Sequence, residues 1–177
     1  MTEHIMRGFD SDLQGLTRLI SEMGGFAEKQ VVDAISALNR QDTALAQRVV
    51  ADDAKIDALQ HQIEESAILT LARRQPMAVD LREIIGALRI SNDLERIGDL
   101  AKNIAKRVNA LAGGFQLQQV MRGIEHMTDL VLMQIKNVLD SYARRDTAKA
   151  ITVWRSDEQI DAVNNSLFRE LLTYMME

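Results

Sequence analysis

The sequence contains no cysteine, a single proline and few aromatic residues, which make up 4% of its 177 positions. Without cysteine the chain has no disulfide framework, no thiolate nucleophile and no sulfur ligand for zinc or an iron–sulfur cluster, and a cytoplasmic location is favoured. One proline is far below the average usage of roughly 5%. Because the apolar residues are mainly Leu, Ile, Val, Ala and Met, rather than the β-branched and aromatic mixture of sheets, the composition predicts an all-α protein.

The charge pattern and the hydropathy exclude two further classes. The net charge is −5 and no strongly basic cluster stands out, so we expect no nucleic-acid partner. No apolar run reaches the roughly 18 residues that a membrane span needs, and we expect no direct membrane insertion. Residues 1–12 lack the apolar segment of a secretory signal.

Apolar residues recur at helical spacing along most of the chain, which predicts five helices joined by short connections. A capping pattern at Ser11 begins the first helix, and Pro76 ends the second. The predicted spans are residues 11–38, 42–74, 80–111, 116–142 and 146–177. Gly24 and Gly25 lie inside the first helix at a cost of about 1 kcal/mol each relative to alanine. They mark either a kink or a close helix crossing, and we favour the crossing.

An internal repeat relates the two halves of the chain at an offset of 104 residues. Residues 42–58 and 146–162 share nine identities in 17 positions, where unrelated segments of average composition share about one or two. The repeat predicts a duplicated three-helix unit. Residues 1–112 form the first repeat, and residues 113–177 form a second, incomplete repeat of two helices. Trp154 is the counterpart of Val50 and is predicted to be a packing residue.

Acidic residues one helical turn apart lie on the second helix and again on its repeat counterpart. Asp53 and Asp57 are neighbours on one helix face, and Asp157 and Asp161 repeat them. Asp53 and Asp157 both fall on the apolar stripe of their helix. Since burying an unpaired carboxylate is costly, we expect a cation beside these residues.

The third helix carries a further pair, Glu95 and Asp99, on a stripe that begins with predicted core residues such as Leu81 and Ile85. The opposite face is apolar throughout, which predicts a helix packed between others with the acidic stripe in the interior or lining a groove. Oxygen donors without sulfur suit hard cations such as Mg, Ca, Mn or iron. No glutamate has a histidine three residues later, so the ferritin-like di-iron signature is missing.

Ion pairing without any metal is the alternative for these acidic residues, because such pairs usually form a solvated helix face. The candidate partners are Arg96 or Lys102 for Asp99, and Arg40 or Arg48 for Asp53.

Four segments, in this order, resemble the PhoU family of bacterial phosphate-uptake regulators. They are Glu22–Gly25, Arg74–Pro76 with Asp80–Arg82, Leu94–Asp99 and Leu172–Glu177. The resemblance implies tandem three-helix bundles, here with the second bundle lacking its last helix. It also implies clusters of metal ions bound by paired acidic motifs. Carried over by position, the implied metal ligands are Asp53, Asp57, Glu95, Asp99, Asp157 and Asp161.

The resemblance further implies a non-enzymatic adaptor that acts in the cytoplasm, commonly as a homodimer. Such proteins link a phosphate ABC transporter to a sensor histidine kinase and restrain the phosphate-starvation response. Because the last helix of the second bundle is missing, we expect an apolar groove beside the final two helices. For a partner-binding surface we favour Arg74, Asp80 and Arg82, which we expect in a loop that partners can reach.

Two other functions remain open from the sequence. The interior acidic stripes are also compatible with a carboxylate-ligated metal-binding protein that has redox or metal-storage activity. A purely structural helical bundle, which binds no metal, is the third possibility.

Overall fold

A computed structural model of the chain describes residues 2–74, 78–111 and 118–176. These residues form six α-helices and contain no strand, which confirms the all-α prediction. The helices are α1 (Thr2–Arg40), α2 (Thr43–Arg74), α3 (Ala78–Leu111), α4 (Gln118–Arg144), α5 (Thr147–Arg155) and α6 (Asp157–Met176). The predicted boundary at residues 112 and 113 lies outside the described residues.

The turns between α1 and α2 and between α4 and α5 are built in the same way, as the internal repeat predicts. Gln41 and Arg145 are equivalent in the repeat, and both adopt a left-handed backbone, with φ of 52° and 55°. Asp42 then caps α2 through the Leu45 N–H at 2.9 Å, and Asp146 caps α5 through the Lys149 N–H at the same distance. The repeat is therefore structural as well as sequential.

The first three helices pack against one another around an apolar core. Fully buried side chains include Ile20 and Met23 of α1, Ile56 and Ile63 of α2, and Ile84 of α3. At the other end of this bundle the buried residues are mostly alanines, together with valines, which lets the helix backbones approach closely. Leu81 and Ile85, which were predicted to be core residues of α3, are exposed.

Helix α1 is longer than predicted and links the two repeats. It begins at Thr2, so Ser11 does not cap it. α4 packs against α1, and at this crossing Gly24 faces the side chain of Leu139. A Cβ at position 24 would overlap that side chain, whereas a Cβ at Gly25 would meet nothing within 4 Å. Gly24 therefore marks a close helix crossing, as predicted, and the helix continues through it.

The second repeat differs from the prediction of one final helix. Ser156 separates α5 from α6, and its backbone N–H reaches the carbonyl oxygens of Thr152 and Val153. The equivalent residue of the first repeat, Asp52, lies inside the continuous helix α2. α2 packs against both α1 and α3, and the apolar surface buried on both sides favours a continuous helix. α5 and α6 pack against α4 and against each other.

Many large apolar side chains of α5 and α6 are exposed in the structure. Among the described residues, Leu167 is the only buried residue of these two helices. The exposed set comprises Ile151, Trp154, Phe168, Leu171, Leu172, Tyr174, Met175 and Met176. Trp154 is 78% exposed, so the prediction that it is a packing residue is wrong for this structure. Within the described part of the chain, no helix has the length and apolar character to cross a membrane.

Candidate functional site

Four acidic side chains of the first bundle lie on the facing sides of two packed helices. Asp53 and Asp57 project from α2, and Glu95 and Asp99 project from α3. We refer to these four residues as the acidic cluster. Asp53 is buried, with 4% of its surface exposed, while Glu95 and Asp99 are half-buried and Asp57 is exposed. The stripe on α3 thus lines the edge of the bundle rather than its interior.

Lys102 neutralises the deepest part of the acidic cluster. Its ammonium nitrogen, Nζ, donates a hydrogen bond to Oδ2 of Asp53 and another, at 2.9 Å, to Oδ1 of Asp99. Both contacts are ion pairs, and they raise the pKa of the Lys102 ammonium, with the hydrogen bond to Asp53 as the largest cause. The Asp99–Lys102 pairing is one of the alternatives expected from the sequence, but Asp53 pairs with Lys102 and not with Arg40 or Arg48.

Gln30 and Gly98 position Asp53 and were missed by the sequence reasoning. Gln30 is buried, and with its amide oriented to satisfy both ends it accepts the Asp53 backbone N–H at 2.9 Å. The same amide donates to the carbonyl oxygen of Gly98 at 3.3 Å. A Cβ at Gly98 would lie 2.7 Å from Cδ1 of Ile56, so glycine lets α3 come close to α2. The available signal was a polar residue, Gln30, on the apolar stripe of α1.

The pKa of Glu95 is shifted by its surroundings in the acidic cluster. Its pKa is raised mainly by burial, and then by the negative charges of Asp99, Asp57 and Asp53. Lys102 acts in the opposite direction. The other three carboxylates are therefore close enough to oppose the ionisation of Glu95.

The donor chemistry of the acidic cluster fits a hard cation. Two of its carboxylates already share one positive charge, the tethered ammonium of Lys102. All donors are oxygens, which Mg²⁺, Ca²⁺ and Mn²⁺ prefer. Among the described residues, no three His, Asp or Glu side chains are arranged to hold a metal ion. The metal assignment therefore stays a prediction.

The acidic pair of the second repeat has a different environment. Asp157 and Asp161 are both exposed, and Asp157 lies in the first turn of α6. The expectation that Asp157 shares the buried position of Asp53 is wrong, because no described helix covers α6 as α3 covers α2. α6 also makes no contact with α2 or α3, so the two acidic pairs do not meet within the described residues.

The residues favoured for partner binding lie mainly on α3. Asp80 is half-buried and Arg82 is exposed, and both belong to the first turns of α3 rather than to a loop. Arg74 is the last residue of α2, and its side chain lies outside the described residues. Their role in partner binding stays a prediction.

A separate cavity of about 390 Å³ lies where α1 and α3 meet α4 and the start of α5. Glu83 of α3 and Arg145 form an ion pair of 2.8 Å at its edge. Tyr142 lines the cavity and is hydrogen-bonded to Thr17, and burial raises the pKa of its hydroxyl. These contacts tie the first bundle to the second repeat.

The fold and the site define a helical-bundle protein built from a repeated unit, with one acidic cluster held together by a lysine. The family model described as the PhoU domain matches residues 20–108 and 124–177. The chain belongs to the PhoU family.

Three relatives show the extent of the similarity. A protein of Rhizobium meliloti (strain 1021), named phosphate-specific transport system accessory protein PhoU homolog, is 57% identical over 98% of this chain and 73% of its own length. The crystal structure of PhoU from Pseudomonas aeruginosa has a TM-score of 0.88 at 38% identity, covering 95% of this chain and 80% of the other.

The third relative is the phosphate transport system regulatory protein PhoU from Streptococcus pneumoniae. Its crystal structure has a TM-score of 0.87 at 28% identity, covering 95% of this chain and 79% of the other. The family is one of accessory and regulatory proteins and not of enzymes, and this membership sets aside the redox-enzyme alternative.

Proposed function

We propose that this chain is an accessory protein that regulates phosphate uptake through contacts with other proteins. The observation that carries the proposal is 57% identity, over 98% of the chain, to a relative named as an accessory protein of phosphate-specific transport. The name of the Streptococcus pneumoniae protein adds a regulatory role in the same transport system. The fold supports a binding role, since its exposed apolar and charged faces suit protein contacts.

The finer role that we propose is negative regulation of the phosphate-starvation response from the cytoplasmic side of the membrane. In this role the chain links a phosphate ABC transporter to a sensor histidine kinase. Arg82, which is exposed at the start of α3, and the neighbouring Asp80 are the proposed partner contacts. The exposed apolar side chains of α5 and α6 favour a homodimer.

Metal binding is a further part of the proposal. Asp53, Asp57, Glu95 and Asp99 are the proposed ligands in the first repeat, and Asp157 and Asp161 are those in the second. The shared ammonium between Asp53 and Asp99 supports the assignment in the first repeat. Mn²⁺ binding by the full chain, weakened in both Asp53→Asn and Asp99→Asn, tests it.

Deletion of the gene tests the regulatory proposal. In cells grown with abundant phosphate, a reporter of the phosphate-starvation response is expected to rise in the deletion strain. The wild-type gene is expected to restore repression, and Arg82→Glu is expected to restore it only in part. Glu65→Arg, a charge reversal at an exposed site on α2, is the control and is expected to restore repression fully. A deletion strain whose reporter stays at the wild-type level contradicts the proposal.

A further inference from the structure

Asp53 is a buried carboxylate with a positive partner, Lys102. Its side chain is 6% exposed, between the apolar residues that pack α2 against α1 and α3. Burial of an unpaired charge is strongly unfavourable, and a cation beside the carboxylate offsets that cost. In this chain Lys102 provides that cation from α3, with a side chain that is 25% exposed.

The ammonium of Lys102 stands where a metal ion bound by Asp53 and Asp99 would stand. It contacts one oxygen from each carboxylate, Oδ2 of Asp53 on α2 and Oδ1 of Asp99 on α3. A divalent ion between the same oxygens would lie within contact distance of the ammonium, and the two positive charges would repel each other. Only one of the two cations fits.

We propose that Lys102 is a built-in competitor for the metal, so that its ammonium lowers the affinity of the acidic cluster for divalent cations. This inference rests on the proposed ligand role of Asp53 and Asp99. A divalent ion binds the first repeat only when the Lys102 side chain turns outward to solvent, which its flexible four-carbon stem allows. The first repeat therefore responds to high concentrations of free divalent cation, and Lys102 sets that threshold.

The second repeat gives an internal comparison for this argument. Asp157 is equivalent to Asp53 in the repeat, yet it is exposed to solvent. Water satisfies an exposed carboxylate at little cost, so Asp157 needs no tethered cation.

Titration of the full chain with Mn²⁺, followed by calorimetry and by the electron paramagnetic resonance of free Mn²⁺, tests the inference. Lys102→Gln is expected to bind Mn²⁺ at least about tenfold more tightly than wild type, a difference of about 1.4 kcal/mol. Lys55→Gln is the matched control. It removes the same charge from the exposed Lys55–Asp52 pair on α2 and is expected to stay within about twofold of wild type.

The outcomes separate the inference from the ligand assignment. Equal Mn²⁺ affinity of wild type and Lys102→Gln overturns the competition by Lys102 and leaves the ligand assignment intact. Failure of Lys102→Gln to bind Mn²⁺ overturns both. The double variant Asp53→Asn/Lys102→Gln is expected to lose the increase in Mn²⁺ affinity that Lys102→Gln shows. If the double variant keeps the higher affinity, the ion binds elsewhere and the inference is overturned.

A folding control keeps the test decisive. If Lys102→Gln is unfolded in EDTA, circular dichroism measures whether Mn²⁺ restores its helices. Recovery supports the inference, because the external ion then replaces the missing ammonium. A variant that stays unfolded at saturating Mn²⁺ overturns it.

Discussion

Asp53 and Asp157 occupy equivalent positions in the repeat and have opposite environments. Asp53 is covered by α3 and held by two polar neighbours: Gln30 accepts its backbone N–H, and Lys102 binds its carboxylate. Asp157 is exposed in the first turn of α6, where the N-terminal end of the helix favours negative charge. The same residue in the same motif is thus buried and ion-paired in one repeat and solvated in the other.

At the residue scale, Glu95→Gln tests the electrostatic field of the acidic cluster. The raised pKa of Glu95 means that its ionised form is less favourable in the folded chain than in the unfolded chain. Removing this charge in the absence of metal is expected to increase the free energy of unfolding at pH 7 by up to about 0.5 kcal/mol. Urea unfolding in EDTA measures the change.

The pH dependence gives the sign of this effect. The wild-type chain loses stability relative to Glu95→Gln as the pH rises through the raised pKa of Glu95. Below the ordinary value of 4.5 the glutamate is protonated in both states, and the difference is expected to vanish. Asp93→Asn, a similar charge change at an exposed site on α3, is the control. A Glu95→Gln variant that is less stable than wild type at pH 7 contradicts the argument.

At the scale of helices, the glycine pair of α1 shows how packing overrides helix propensity. Gly24 and Gly25 are adjacent and share the same helical backbone. Gly24 faces Leu139 of α4, whereas Gly25 faces open space. Only Gly24 is therefore required by the contact between the two repeats, and Gly25 carries the conformational cost of glycine without that benefit.

Alanine substitutions separate the two glycines. Gly25→Ala is expected to raise the free energy of unfolding by about 0.5–1 kcal/mol, the usual preference of a helix for alanine. Gly24→Ala gains the same preference but forces Leu139 to move, and overpacking costs about 1–3 kcal/mol. It is therefore expected to be less stable than Gly25→Ala by at least about 1 kcal/mol. Chemical denaturation measures both, and equal stability of the two variants would show that Leu139 moves at no cost.

Across the whole molecule, apolar surface is covered unevenly. The three helices of the first bundle bury side chains such as Ile56 and Ile63 completely. Among the described residues, α5 and α6 pack only against α4 and against each other, and aromatic side chains such as Phe168, 60% exposed, face outward. Exposed apolar surface of this kind favours association, and it supports the homodimer that we propose.

Sedimentation equilibrium tests whether the exposed apolar side chains of α6 mediate self-association of the chain. Phe168→Glu is expected to weaken self-association of the chain by at least about tenfold, because it places a charge in an apolar contact. Ile68→Glu on α2 is the matched control: Ile68 is 62% exposed and belongs to the first bundle. It is expected to leave the association unchanged. Equal effects of the two substitutions would assign the contact to a different surface.

The sequence predicted much of the fold because helix formation follows local patterns. The scarcity of proline and the helical spacing of apolar residues predicted the long helices, and the 104-residue repeat predicted the two equivalent turns at Asp42 and Asp146. The break at Ser156 was not predicted. By the repeat, Ser156 matches Asp52, which lies in an unbroken helix, so the repeat predicts a continuous helix at both positions. α2 is packed between two other helices, α1 and α3, whereas α5 and α6 pack against α4 and each other. A local sequence pattern carries no information about this difference in packing.

The sequence by itself determined an acidic, all-helical, duplicated chain of the PhoU family and the positions of its paired carboxylates. Only the tertiary structure decided which of those carboxylates is buried and which cation it meets. Asp53, Gln30 and Lys102 come from three different helices, and the approach of α3 at Gly98 brings them together. Burial and ion pairing depend on distances between helices, whereas composition and periodicity describe each helix alone.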